Sequence, residues 1–64
     1  MNAHTLEVEW DKLRPGVTVV RPDGRHGRAA VVDRSTGGVV VLFTDGRRER
    51  HQPSERVRVL VREV

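Results

Sequence analysis

The segment Gly37-Gly38-Val39-Val40-Val41-Leu42-Phe43-Thr44-Asp45-Gly46-Arg47-Arg48-Glu49-Arg50-His51 decides how this chain folds. Five β-favouring apolar residues, Val39 to Phe43, stand between a Gly-Gly pair and an Asp-Gly pair, which predicts a buried strand running into a hairpin. Asp45 and Gly46 both tolerate positive φ, so the expected connection is a type I′ turn. The return strand, Arg47 to His51, is charged where its partner is apolar. One hairpin therefore carries core and basic surface side by side.

Upstream, Arg34 to Gly38 reads as a turn, preceded by an apolar run from Ala29 to Val32. The basic loop Arg25-His26-Gly27-Arg28 leads into that run, and Pro22-Asp23-Gly24 separates it from the strand Val17 to Arg21. Gly24 and Gly27 do not make a nucleotide-binding loop, because no helix and no Gly-Lys-Ser/Thr follows them. Downstream, Gln52 to Arg56 breaks the sheet, with Ser54 placed to cap a single helical turn, and Val57 to Val61 forms a last strand. Apolar residues never recur at helical spacing over a helix length, so the chain is all-β.

Strands are expected near residues 17–21, 28–34, 38–44, 47–51 and 57–61. Taking one parity in each gives a core of Val17, Val19, Ala29, Val31, Val39, Val41, Phe43, Val57 and Val59. The opposite parity, Val20, Ala30, Val32, Val40 and Leu42, is too apolar to face water uncovered. Ahead of the strands, Leu6, Val8 and Trp10 alternate with Glu7, Glu9 and Asp11, an amphipathic stripe suited to cover that second face. Met1 to Thr5 is expected to fray, and Trp10 to pack as the anchor of the stripe. The domain reading is an extended N-terminal arm, 1–12, and a five-stranded barrel domain, 13–64.

Sixty-four residues sit near the lower limit for a chain that folds alone. With 36% hydrophobic and 33% charged residues the core is thin, so a dimer or a docked partner would add burial. There is no cysteine, which excludes disulfides and thiol chemistry and fits a cytoplasmic setting. No apolar run approaches the roughly 20 residues that span a bilayer, and no signal peptide or membrane anchor is expected. The formal charge is +3. Glu7, Glu9 and Asp11 outweigh Lys12 in the arm, whereas eleven arginines oppose six carboxylates beyond it. Arginine's planar fork suits phosphate.

The glycines and valines fall in a suggestive order. Pro15-Gly16 precedes Val17 and Val19, Gly27 precedes Ala29 and Val31, then come Val41 and Phe43, Asp45-Gly46, and the Pro53 to Arg56 turn ahead of Val57 and Val59. Together they resemble the SH3-like barrels of the KOW and Tudor-like type, over about residues 13–61. The resemblance implies a binding module for nucleic acid, ribosomal RNA or RNA polymerase rather than an enzyme. Tudor-like readers of methyl-lysine need several aromatics; Trp10 and Phe43 are the only ones here, so no aromatic cage is expected. The same scarcity argues against base stacking and a proline-peptide groove. One enzyme precedent for such a barrel, a plasmid-type dihydrofolate reductase, uses a tetrameric pore for which this sequence has no motif.

No catalytic site is predicted. His4, His26 and His51 lack metal-ligand spacing, and Ser35, Thr36 and Ser54 sit in turns without a base partner. No cofactor, metal or small-molecule substrate is expected. The predicted nucleic-acid-binding residues are Arg25, His26 and Arg28 in the first hairpin with Arg47, Arg48, Arg50 and His51 in the fourth strand, a basic strip that holds phosphates without reading sequence. The alternative is a protein-interaction module, either a homodimer or an accessory subunit docking on a larger protein such as RNA polymerase. Its interface would use Trp10, Val20, Val32, Val40 and Leu42.

Overall fold

A computed structural model describes residues 3–35 and 37–62. Thr36, read as a turn residue, lies outside them. The strands are β1 Ala3–Glu9, β2 Thr18–Val20, β3 His26–Asp33, β4 Val39–Phe43, β5 Arg48–His51 and β6 Arg56–Arg62. They form one antiparallel sheet in the order β1-β6-β2-β3-β4-β5. Among the described residues the outermost strands, β1 and β5, do not pair, so the sheet is open where a five-stranded barrel was expected. No helix among these residues is long and apolar enough to cross a membrane.

The sixth strand is the arm. Its alternation makes it strand-forming as expected, but it extends the sheet at β6 instead of covering the second apolar face. Pairing is continuous from Ala3↔Arg62 to Glu9↔Arg56, so the strand already begins at Ala3, inside the stretch expected to fray. Charge helps set this register: Glu7 lies opposite Arg58 and Glu9 opposite Arg56, with Arg56 Nη1 3.8 Å from Glu7 Oε1. Opposite charges across strands stabilise pairing by a few tenths of a kcal/mol, about 0.2–1 each.

The single helical turn is also misplaced in the sequence reading. A 3-10 turn occupies Trp10–Lys12, closed by the Leu13 N–H donating to the Trp10 carbonyl at 3.1 Å. Ahead of β6 there is only a reverse turn, in which the Glu55 N–H donates to Gln52 O at 3.1 Å and Glu55 Oε1, not Ser54, accepts from the Gln52 N–H at 3.0 Å. Arg34 holds the 3-10 turn and the residue after it by donating to the Asp11 carbonyl at 2.9 Å and to the Leu13 carbonyl.

Trp10, Leu13, Val19, Ala29, Val39, Val41, Phe43, Val57 and Val59 are buried together, with Val8, Val17, Val32 and Val61 packed partly against them. Val31 is the clear departure from the predicted core. Ala29 pairs with Phe43 and Val31 with Leu42, leaving Ala30 as an extra residue. Such a bulge reverses the facing of everything after it. Val31 is thereby turned out, 51% exposed, and Val32 turned in opposite Val41. Phe43 fits because Gly27 makes room: a Cβ there would come within 3.2 Å of its ring.

Phe43→Ala should cost about 3–5 kcal/mol, most of what so small a domain has. Thermal denaturation should show loss of the cooperative melt. A transition within a few degrees of wild type would mean that the ring is dispensable to the core.

Candidate nucleic-acid interface

Two hairpins carry the same local unit. Arg21-Pro22-Asp23-Gly24-Arg25 joins β2 to β3, and Phe43-Thr44-Asp45-Gly46-Arg47 joins β4 to β5. In each, the glycine N–H donates back three residues, Gly24 to Arg21 O at 2.9 Å and Gly46 to Phe43 O at 3.0 Å. The outer pair then closes, with the Arg21 N–H on Arg25 O and the Phe43 N–H on Arg47 O, both at 2.8 Å. Gly24 and Gly46 take φ of 88° and 91°, while among the described residues no residue other than glycine has positive φ, so Asp45 is not in the conformation a type I′ turn requires. The connection is a three-residue loop, a turn followed by a left-handed glycine bulge, in place of the two-residue loop expected. Each aspartate then accepts from the backbone of the arginine two residues on, Asp23 Oδ1 from the Arg25 N–H and Asp45 Oδ1 from the Arg47 N–H, at 2.9 Å in both.

The two turns flank one groove, lined by Asp23, Arg25, His26, Asp45 and Arg47, with Arg21 and Glu49 at its base. Arg21 is held there twice over. It forms a bidentate pair with Glu49 at 2.8 and 2.6 Å, and its guanidinium sits 4.7 Å from the Phe43 ring centre. Glu49 also meets His51 Nε2 at 2.9 Å, and His51 Nδ1 lies 3.6 Å from Glu55 Oε2. One face of the imidazole covers Trp10, with ring centres 3.8 Å apart and planes within 3°. A chain of contacts thus runs from Phe43 through Arg21, Glu49 and His51 to Trp10.

The predicted basic strip is brought together only in part. Arg25, His26 and Arg47 meet at the groove. Arg28 shares the exposed face of β3 with His26, level with Thr18 of β2, but does not line the groove. Arg48 and Arg50 sit opposite Leu42 and Val40, on the side of β5 away from the core. His51 is opposite buried Val39 and faces inward, engaged by Trp10 and Glu49. The proposed protein-binding residues divide between the core and the outer face of the sheet. Trp10 is 3% exposed in the core and Val32 packs against it. Val20 shares a face with His26 and Arg58, and Val40 and Leu42 share theirs with Val31.

Sequence reading passed over Arg21, Glu49 and Glu55. A signal was present: Glu49 is the one acid in Arg47-Arg48-Glu49-Arg50-His51, and period two places it with His51 on the face opposite Arg48 and Arg50. Among the described residues no group of three or more histidines and carboxylates is arranged to hold a metal ion. No family model, curated protein or solved structure matches the chain.

The Arg21 guanidinium holds the Glu49 carboxyl below its ordinary value of 4.5; partial burial opposes this and the His51 hydrogen bond adds to it. A carboxyl more acidic in the folded state adds stability above its unfolded pKa, and this is lost as pH falls through the folded value. Wild-type stability should therefore decline as pH drops below about 4.5. Glu49→Gln should lose stability at neutral pH and show a shallower acid decline in chemical denaturation. Identical pH profiles for the two would remove Glu49 from the account.

Trp10 fluorescence should resist quenching by iodide far better than a free indole, given its 3% exposure. His51→Ala should raise the quenching constant by uncovering one ring face. No change would mean that the stack does not persist in solution.

Proposed function

We propose that this chain is a small non-enzymatic binding module of the SH3-like type, akin to KOW and Tudor-like domains, that holds nucleic-acid phosphate backbone in the groove between its twin Asp-Gly-Arg turns. The observation that carries this reading is the convergence of Arg25, His26 and Arg47 from distant parts of the sequence onto one groove. Arg25 and Arg47 are exposed, and their contacts with Asp23 and Asp45 are long, 3.5 and 3.9 Å. Exposed pairs of this kind are worth about 0–1 kcal/mol, so a phosphate can displace the aspartates at small cost. Arginine forks match phosphate oxygens, whereas few aromatic rings are on hand to read bases. The strand order supports the SH3-like reading, because β2 to β5 form a meander and β6 returns across it to lie beside β2. A cysteine-free chain suits a cytoplasmic setting.

A second reading, docking on a protein, is favoured by one observation. Val31 and Leu42 are cross-strand partners and stay 51% and 39% exposed.

The test is a salt titration with duplex DNA, single-stranded DNA and structured RNA. Binding should be largely independent of sequence, and Arg25→Gln with Arg47→Gln should lower the salt slope by about 2, about 1 for each lost phosphate contact. Arg48→Gln with Arg50→Gln, which lie outside the groove lining, should change it little. Absence of binding to all three at low salt would transfer the assignment to the protein-docking reading.

A further inference from the structure

The two edges of the open sheet are unequally guarded. At one end β5 is four residues long and polar throughout, Arg48-Glu49-Arg50-His51, with three charged residues that discourage another strand from pairing with it. At the other end β1 is seven residues long, free of proline, glycine, lysine and arginine, and its pairing with β6 has no register shift. Among the described residues nothing pairs with its outer edge. Leu6, the midpoint of the strand, is 54% exposed although Val59, its partner on β6, is buried. A long, straight, unguarded edge with a bare leucine at its centre is a template for strand addition.

We propose that a second copy of this chain pairs antiparallel along β1, joining the two open sheets into one about a two-fold axis at Leu6. Register decides in favour of a second copy. A continuous sheet requires that residues paired across the axis share a face, so only every other register is allowed. Centring on Leu6 uses all seven residues of both strands and sets Leu6 against Leu6 of the other copy. Thr5 then faces Glu7, His4 faces Val8 and Ala3 faces Glu9. The allowed register centred on Glu7 shortens the pairing and sets Glu7 against its own copy, and like charges directly opposite are destabilising. The one full-length register is therefore also the one that covers the exposed leucines and keeps the glutamates apart. This is an isologous contact that closes at two. It does not depend on the nucleic-acid reading, since it uses none of the groove residues.

Sedimentation equilibrium should give twice the chain mass at high concentration and a reversible fall to monomer on dilution. Leu6→Lys, which sets two ammonium groups opposite each other, should weaken association by at least about tenfold while Trp10 stays shielded from iodide. Thr5→Glu should also weaken it, because in this register it faces Glu7 of the other copy. Because the chain has no cysteine, Leu6→Cys offers a readout free of background. Residues directly opposite bring their Cβ atoms to about 4.5–5.5 Å, close to disulfide range, so oxidation by diamide should trap a covalent dimer. Val31→Cys should not cross-link. A wild-type chain monomeric at every concentration, a dimer indifferent to Leu6→Lys and Thr5→Glu, or cross-linking through Val31→Cys alone would each overturn the proposal.

Discussion

The stack of Trp10 on His51 is the contact that lets an open sheet enclose a core. Trp10 directly follows β1 and His51 ends β5, the two strands at opposite ends of the sheet order. They share no backbone ladder, yet their rings lie 3.8 Å apart and parallel. Two backbone bonds reinforce the junction, the Trp10 N–H to Glu55 O at 2.8 Å and the Asp11 N–H to Pro53 O at 3.2 Å. An aromatic pair of this sort adds about 0.5–1.5 kcal/mol beyond its burial. Its larger effect is geometric: it curls the sheet so that each half shields the other, and Val19, Val39 and Val41 reach 0% exposure in a chain of only 64 residues.

The same junction explains why charged residues stand at inward positions of β5. Val39 and Val41 face the core, and their cross-strand partners His51 and Glu49 continue that face to the edge, where apolar cover runs out. Glu49 is satisfied there by Arg21 and His51, and Arg21 rests against Phe43. The ion pair thus seals the core at its rim and at the same time forms the base of the groove. Stability and the proposed binding surface share residues, so the groove inherits its rigidity from the core.

How much of this the sequence reveals depends on whether the deciding contact is local. β4 is legible because Val39, Val41 and Phe43 alternate without interruption, and all three are buried. Val31 is not, because Ala29-Ala30-Val31-Val32 is apolar in either parity and only pairing with β4 exposes the extra residue. The Asp45-Gly46 pair marks the turn correctly but not its kind, since the same dipeptide serves either a two-residue loop or the end of a three-residue one. The arm is legible as a strand, yet its destination is set by Arg56 and Arg58, far along the chain. His51 reads as one more base in a basic run. Its ring partner lies 41 positions earlier, beyond any local pattern.

The bulge at Ala30 has a bearing on how this chain tolerates length changes. It acts as a phase shift: residues on one side of it obey one inside-outside frame, and residues on the other side the reverse. Drawing Ala30 into the ladder as a regular residue would bring Val31 inward and turn Val32 outward, whereas deleting it would leave Val31 next to Ala29 and still opposite Leu42, and Val32 still opposite Val41. An alanine outside the ladder therefore fixes which half of the valines in β3 forms the interior: the strand can lose that residue without a change of frame, whereas a residue inserted or removed within the regular pairing on either side would exchange lining and outer surface.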